Sequence, residues 1–437
     1  MGEVVRFIRL PKAELFLIGI LALLAVLVRW GSHDEITPDM RNFLAWYRKL
    51  DEAGGLPGLR HEIGNYNAPF LYLLAILTYL PGPALLKIKL TWCVFDVLLV
   101  YFTYRIVALR WAGWRIPTLA ALVMAFLPTV VVNSSFYGQC DAIWAGFLVG
   151  GLYQLLRRRQ WWGVTLFAVA LAFKPQAIFV FPVLLLLVLA GQLRWRTLLT
   201  VPLVYLVLDL PAIFAGRNPV ELLTLYNPER QSKYITALTA NAASMYAFLP
   251  MTTRLDTLRT LGYIFAAVLV LGVIYTLIAS RVELDTKRIV TASALLAMLV
   301  PFVLPGMHER YFYLADVLTV VLAFYRPRLW FVPLIVQAVS LLSYLPFLFW
   351  QEPHGPLVGL KLLATLMLAA LLSTGYALLS DLKADRPAEV KPVKAEPVKA
   401  EPAEAEPAEA EPVKAEPAEA QASPPAESLV SLPARPA

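Results

Sequence analysis

The chain has 437 residues, of which 59% are apolar, and its mean hydropathy is +0.64. An ordinary soluble domain is about 45 to 50% apolar, so a soluble single-core protein is excluded. Charge divides the chain: the segment from Asp381 onward carries −5 and the body before it +12.

Apolar helical runs appear at 13–29, 84–108, 116–132, 141–156, 161–173, 175–190, 196–215, 262–280, 289–304, 311–325, 328–350 and 357–380. A further run, 68–80, falls short of the roughly 17 to 25 residues of a usual span and reads as a half-depth or re-entrant helix. The first run has the basic start of a signal peptide. It offers no small-residue cleavage site in Leu27-Val28-Arg29-Trp30 and reads as an uncleaved span.

Short cytoplasmic loops collect Lys and Arg. With about twelve crossings (11 to 13) and both termini inside, 16 cations fall in inside segments, among them Arg157, Arg158 and Arg159 in a single loop. Lys87 and Lys89 run against the pattern. Two long segments, 30–83 and 216–261, become external caps. The first holds an amphipathic stretch at 41–50, whose Phe43, Leu44, Trp46, Tyr47 and Leu50 suit a membrane interface. The predicted fold is thus an all-α polytopic membrane domain, residues 1–380, followed by a tail, 381–437. The tail repeats proline every fifth residue from Pro387 to Pro417 and has no aromatic residue, so a solvated disordered segment is expected.

Cys93 and Cys140 lack any paired spacing, and His33, His61, His308 and His354 are scattered. Neither a Walker loop nor a dinucleotide fingerprint is present. The basic clusters read as topology signals before nucleic-acid patches, and no nucleic-acid partner is expected. These motifs identify no cofactor. External acids leave room for a divalent cation, although no ligand constellation compels one.

Four polar clusters fall on the external side of this topology: Asp34, Glu35 and Asp39 in the first cap; Gln139 with Asp141 at a span mouth; Lys174-Pro175-Gln176 between two short runs; and His308-Glu309-Arg310. Asp39, next to Pro38, and Asp141 both suit the first turn of a helix, where an acid is favoured without any catalytic role. Charges at membrane depth point to function by default, and an interrupted helix needs a protein or water partner for its freed backbone. Asp96, Asp209 and Asp316 within apolar runs read as structural hydrogen-bonding groups more readily than catalytic ones.

Taken in order, Asp39, Gly138-Gln139-Cys140-Asp141-Ala142, Lys174-Pro175-Gln176-Ala177 and His308-Glu309-Arg310-Tyr311 resemble the C-superfamily (GT-C) glycosyltransferases. The branch is that of polytopic proteins similar to glycosylphosphatidylinositol mannosyltransferases, and the similarity covers roughly residues 10–380. The resemblance implies a polyprenyl-phosphate sugar donor, mannose first, and inverting transfer to a lipid or glycan acceptor at the external membrane face, in a bacterial plasma membrane. It also implies a base from the first external loop; Asp39 matches best, with Asp34 and Glu35 close by, and Asp141 at the span mouth is a further catalytic candidate.

The chemistry agrees on its own terms. The donor leaves as a phosphomonoester and gains about one negative charge, which Lys174, His308 and Arg310 are suited to meet. Gln139, Gln176 and Glu309 remain as substrate-binding candidates. Broken helices and charges near a cavity also suit a secondary transporter or lipid flippase. Neither the Gly138-Gln139-Cys140-Asp141 nor the Lys174-Pro175-Gln176 cluster has a second copy, and all four clusters lie on one face, which favours the enzyme.

Overall fold

In a bilayer every backbone polar group must be satisfied within the segment, so apolar runs become helices. The computed structural model describes residues 11–227, 237–249, 255–349 and 358–385. The proline-spaced tail beyond 385 lies outside these residues, as do Arg6 and Arg9. Within the described residues every apolar run folds into helix: α1 (Lys12–Trp30), α2 (Pro38–Glu52), α3 (Ala68–Thr78), α4 (Ala84–Val107), α5 (Arg115–Ala125), α6 (Pro128–Val131), α7 (Asp141–Leu156) and α8 (Gln160–Phe173) come first. Then follow α9 (Pro182–Leu189), α10 (Thr200–Phe214), α11 (Pro219–Leu223), α12 (Leu255–Ala279), α13 (Thr286–Val303), α14 (Tyr313–Tyr325), α15 (Phe331–Leu348) and α16 (Leu360–Ala384).

Among the described residues six helices are long and apolar enough to cross a membrane, or seven if the pair bent by 48° at α5 and α6 is one span. Length and apolarity therefore do not reproduce the expected twelve. The remaining runs fold as short apolar helices, or, in α4, as a 24-residue helix that carries Lys87, Lys89, Asp96 and Arg105. At the far end, α16 runs past the expected boundary at 380 to Ala384, because Asp381 pairs with Lys287 at 2.9 Å and with Arg326.

The charges within apolar runs find partners. Arg29 donates to Asp96 at 2.8 Å and Ser134 donates to the same oxygen at 2.6 Å. Asn67 meets Asp209 at 3.0 Å, and Ser340 meets Asp316 at 2.8 Å. Of the two lysines that opposed the charge rule, Lys89 is buried and Lys87 is half-buried, and both are tied to the protein. Lys87 donates to the Tyr47 hydroxyl and the Leu80 carbonyl, each at 2.7 Å, and Lys89 to the Ser32 carbonyl at 2.6 Å.

The segment between α1 and α4 differs from expectation. The apolar face of α2 does not lie on the membrane interface: Phe43, Tyr47 and Leu50 are buried with Phe70 of α3 and Trp92 of α4. An amphipathic face meets whatever apolar surface is nearest, and here the protein supplies it. The pairing of α7 with α8 fixes the rest of the site. The two helices pack at glycines, and a Cβ on Gly151 would stand 2.5 Å from the Phe167 ring. Antiparallel packing joined by a short turn sets the start of α7, Asp141, beside the end of α8, Phe173.

Candidate active site

Four interruptions in the helical pattern deliver the polar residues. Thr37 caps α2, accepting from the Met40 amide at 3.3 Å and donating to the Tyr137 carbonyl at 2.5 Å, so that Asp39 in the first turn is pinned against residues 132–137. Those residues, Val132–Tyr137, form a π-helical turn, a local widening that recurs at functional sites. It closes at Gly138, whose φ of 74° lies in the left-handed region, and a Cβ there would meet the Met40 side chain at 2.4 Å. Gln139 follows and turns back toward α2.

The second interruption is Lys174, in extended conformation between α8 and a 3₁₀ turn, Pro175–Val180. Pro175 cannot continue the ladder of α8, so the chain restarts and Lys174 is left at the break. The third is the stretch after Pro301 and Pro305, where Met307–His308 pairs in parallel with Thr239–Ala240 from the segment between α11 and α12. Asn65 and Tyr66 arrive from the loop that precedes α3.

These elements enclose a cavity of about 440 Å³, within the usual range for a small-molecule site. Of the sequence candidates, Asp39, Gln139, Lys174, Gln176, His308 and Arg310 line it. Gln139 joins the two charge signs: its amide nitrogen donates to Asp39, and its carbonyl oxygen stands 3.5 Å from the Lys174 ammonium. One nitrogen of Arg310, Nη1, lies 3.4 Å from Asp39 Oδ2 and 2.8 Å from Glu309 Oε1. The Arg310 Nε is buried and has no hydrogen-bond partner among the described residues. A buried donor of this kind lacks an acceptor.

Two candidates are placed behind the cavity wall. Asp141 is buried and does not line the cavity: it pairs with Lys174 and accepts from Asn133 at 2.9 Å and from the Trp144 indole at 3.0 Å. A carboxylate so engaged serves as the counter-ion of Lys174 and has no open side from which to reach a substrate. Glu309 is fully buried too, accepting from the Tyr137 hydroxyl at 2.7 Å besides Arg310. Burial works to raise the Glu309 carboxyl, but Arg310, His308 and Tyr137 outweigh it and hold it down at about 2. Asp34 and Glu35 lie on the turn after α1, outside the cavity lining.

The aromatic wall was not foreseen. Trp46, Tyr66, Tyr226 and Tyr311 line the cavity, with the Lys174 ammonium 5.2 Å from the centre of the Tyr66 ring. Burial pushes the Tyr66 phenol above its ordinary value, while Lys174 and Arg310 draw it down only partly. It therefore stays protonated and offers a ring face and a hydroxyl. Tyr226 ties the wall together: its hydroxyl accepts from the Asn67 amide at 3.1 Å and donates to the Phe173 carbonyl at 3.2 Å. The local signal for the loop residues was a glycine turn, Gly64, followed by Asn65-Tyr66-Asn67 before a helix. Among the described residues no three His, Cys, Asp or Glu gather as a metal-ligand group.

The sequence model of glycosyltransferase family 87 matches residues 65–305. That span includes Gln139, Asp141, Lys174 and Gln176, whereas Asp39 and His308-Glu309-Arg310 flank it. Among solved structures, the chain is similar to the crystal structure of ArnT from Cupriavidus metallidurans bound to undecaprenyl phosphate. The two are 16% identical, the match covers 85% of this chain and 78% of that one, and the TM-score is 0.49. No curated protein matches the chain.

Proposed function

The chain belongs to glycosyltransferase family 87, and on that premise we propose that it transfers a sugar, mannose first, from a polyprenyl-phosphate donor to a lipid or glycan acceptor at the external membrane face. The observation that carries this reading is the single cavity in which a carboxylate, Asp39, faces the cations Lys174, Arg310 and the imidazole of His308. In the proposed step Asp39 takes the proton of an acceptor hydroxyl, and that oxygen bonds to the anomeric carbon from the face opposite the phosphate. The bond from carbon to phosphate oxygen breaks with its electron pair, and polyprenyl phosphate leaves with one more negative charge. Fixed cations stabilise such a developing anion without reorganisation, and a positioned base contributes roughly 10² to 10⁴ in rate.

The residues divide the work by position. Arg310 offers a planar fork to the phosphate, and Lys174 a point charge held in place by Asp141. His308 stands at the rim with its ring centre 5.2 Å from that of Tyr311. Aromatic faces such as Trp46 and Tyr66 suit the apolar faces of a sugar ring. The membrane face is supported by the helix ends: α7 begins at the site and ends at Arg157-Arg158-Arg159, and α14 begins at the site and ends at Arg326. The arginine-rich ends thus lie away from the cavity, as the positive-inside rule requires for an external site.

The test is a membrane assay with synthetic polyprenyl-phosphate sugars, scored by release of free polyprenyl phosphate against a panel of acceptors. We expect release that depends on an acceptor and is greatest with the mannosyl donor. Release from a nucleotide sugar and from no lipid-linked donor would overturn the donor assignment; a tail cysteine labelled from outside intact cells would overturn the face.

A further inference from the structure

We propose that a second site, at the end of the bundle remote from the cavity, binds the headgroup of an anionic phospholipid between α13, α14 and α16. Its placement follows from the helices. Tyr325 ends α14, whose 13 residues begin just after Arg310, so this end lies roughly 20 Å from the cavity along the helix axis. Here a cavity of about 690 Å³ is lined by Arg110, Lys287, Arg326 and Arg328, together with one carboxylate, Asp381.

Charge complementarity names the ligand. Asp381 serves two of the cations at once, Lys287 at 2.9 Å and Arg326, so one negative charge is shared between them. Arg326 is anchored as well by Thr291 at 2.6 Å and is nearly buried, with 7% of its side chain exposed. The two nearby acids, Asp285 and Asp385, are turned to Arg288. Arg110 and Arg328 meet no carboxylate among the described residues and are exposed. Arg110 lies over the Trp111 and Tyr325 rings at 5.6 and 5.8 Å, which holds its guanidinium at the rim without neutralising it. The cavity therefore carries a net charge of +3 toward an anion, and guanidinium forks match phosphate oxygens.

The apolar wall selects a lipid over a free anion. The cavity is continuous with the outward face of α16, where Leu372 is 62% and Tyr376 75% exposed. A phosphodiester headgroup seated among the arginines would lay its chains along this face. Basic pockets between helices at a membrane surface bind anionic headgroups by the same logic.

The full-length protein, stripped of lipid in detergent, is titrated with phosphatidylglycerol, phosphatidylcholine and inorganic phosphate, and bound molecules are counted by native mass spectrometry. Phosphatidylglycerol is expected to bind at least about tenfold tighter than phosphatidylcholine. Removing both arginines, R110A/R328A, is expected to lose roughly tenfold to thirtyfold of that affinity, and R110K/R328K to lose less, since the charge is kept while the bidentate fork is gone. Equal binding of the two lipids, or an unchanged R110A/R328A, overturns the site. An equal loss in R110K/R328K traces the effect to arginine packing on Trp111 and Tyr325 and overturns it as well. Displacement of phosphatidylglycerol by inorganic phosphate, with no preference between lipids, assigns a free anion and overturns the lipid.

Discussion

Gln139 donates a hydrogen bond from its amide nitrogen to Asp39, one hundred residues earlier in the chain, and so fixes the orientation of the carboxylate that we propose as base. Asp39→Asn keeps a side chain of the same shape and leaves the cavity lining in place. We expect donor binding to persist while single-turnover transfer falls by roughly two to four orders of magnitude. A full transfer rate in this variant would move the base to another acid. Asp141, an alternative at the start of α7, is already engaged by Lys174, Asn133 and Trp144.

Arg310 is expected to act on the donor itself. Because the donor phosphodiester is anionic before reaction, Arg310→Ala should weaken donor binding as well as transfer. Arg310→Lys should restore only part of the loss, since the bidentate fork is gone. Titration of the donor against each variant reads this directly. Unchanged affinity in Arg310→Ala would return Arg310 to holding Glu309 and Tyr137.

The pair formed by Lys174 and Asp141 should behave as one structural unit. Both side chains are 3% exposed, and removing one partner leaves the other charged and buried. A loss on the order of 3 to 5 kcal/mol is expected for Lys174→Met alone, against a smaller loss for Lys174→Met with Asp141→Asn. Thermal unfolding of the three proteins in detergent checks this. A double variant that loses more than Lys174→Met alone would show that the two do not depend on each other.

Much of this arrangement was legible because membrane helices declare themselves by composition, and their interruptions declare themselves by proline and charge. Lys174 between two short runs and His308-Glu309-Arg310 after Pro301 and Pro305 were found this way, and they do line, or stand directly behind, one cavity. The direction in which a side chain points was not legible. Asp39 and Asp141 occupy equivalent places in the first turn of a helix, yet one faces the cavity and the other faces Lys174 behind it. The aromatic wall was hidden for a related reason: Tyr66 and Tyr226 come from loops without periodicity, and only tertiary closure brings them together. Among the described residues length and apolarity account for six or seven of the expected spans, and helices such as α8 and α14 are short, so that their length gives no measure of how deep they sit.

We further propose that the tail beyond Asp385 has no part in transfer. The described fold ends with Asp381 and Asp385 paired to Lys287, Arg326 and Arg288, so a truncation must spare both acids. Truncation after Asp385 should then leave transfer per folded protein within a few-fold of the full chain. A drop of more than about tenfold, roughly 1.4 kcal/mol in the barrier, would assign the tail a role.

Glu309 yields a dependence on pH whose sign is fixed by its surroundings. Its carboxyl is held at about 2 in the folded protein against an ordinary value of 4.5, so folding favours the ionised form. Its contribution to stability is complete above pH 4.5 and is lost as the pH falls from about 4.5 toward 2, where the folded state must take up the proton. Glu309→Gln cannot titrate, and its thermal midpoint should therefore fall less steeply than that of the unaltered protein across this window, while starting lower at neutral pH. Thermal midpoints of both proteins, measured in detergent between pH 7 and the acid limit of solubility, give the difference curve. Parallel acid slopes would show that Arg310 does not hold Glu309 ionised, and that the neighbouring guanidinium is balanced by Asp39 alone.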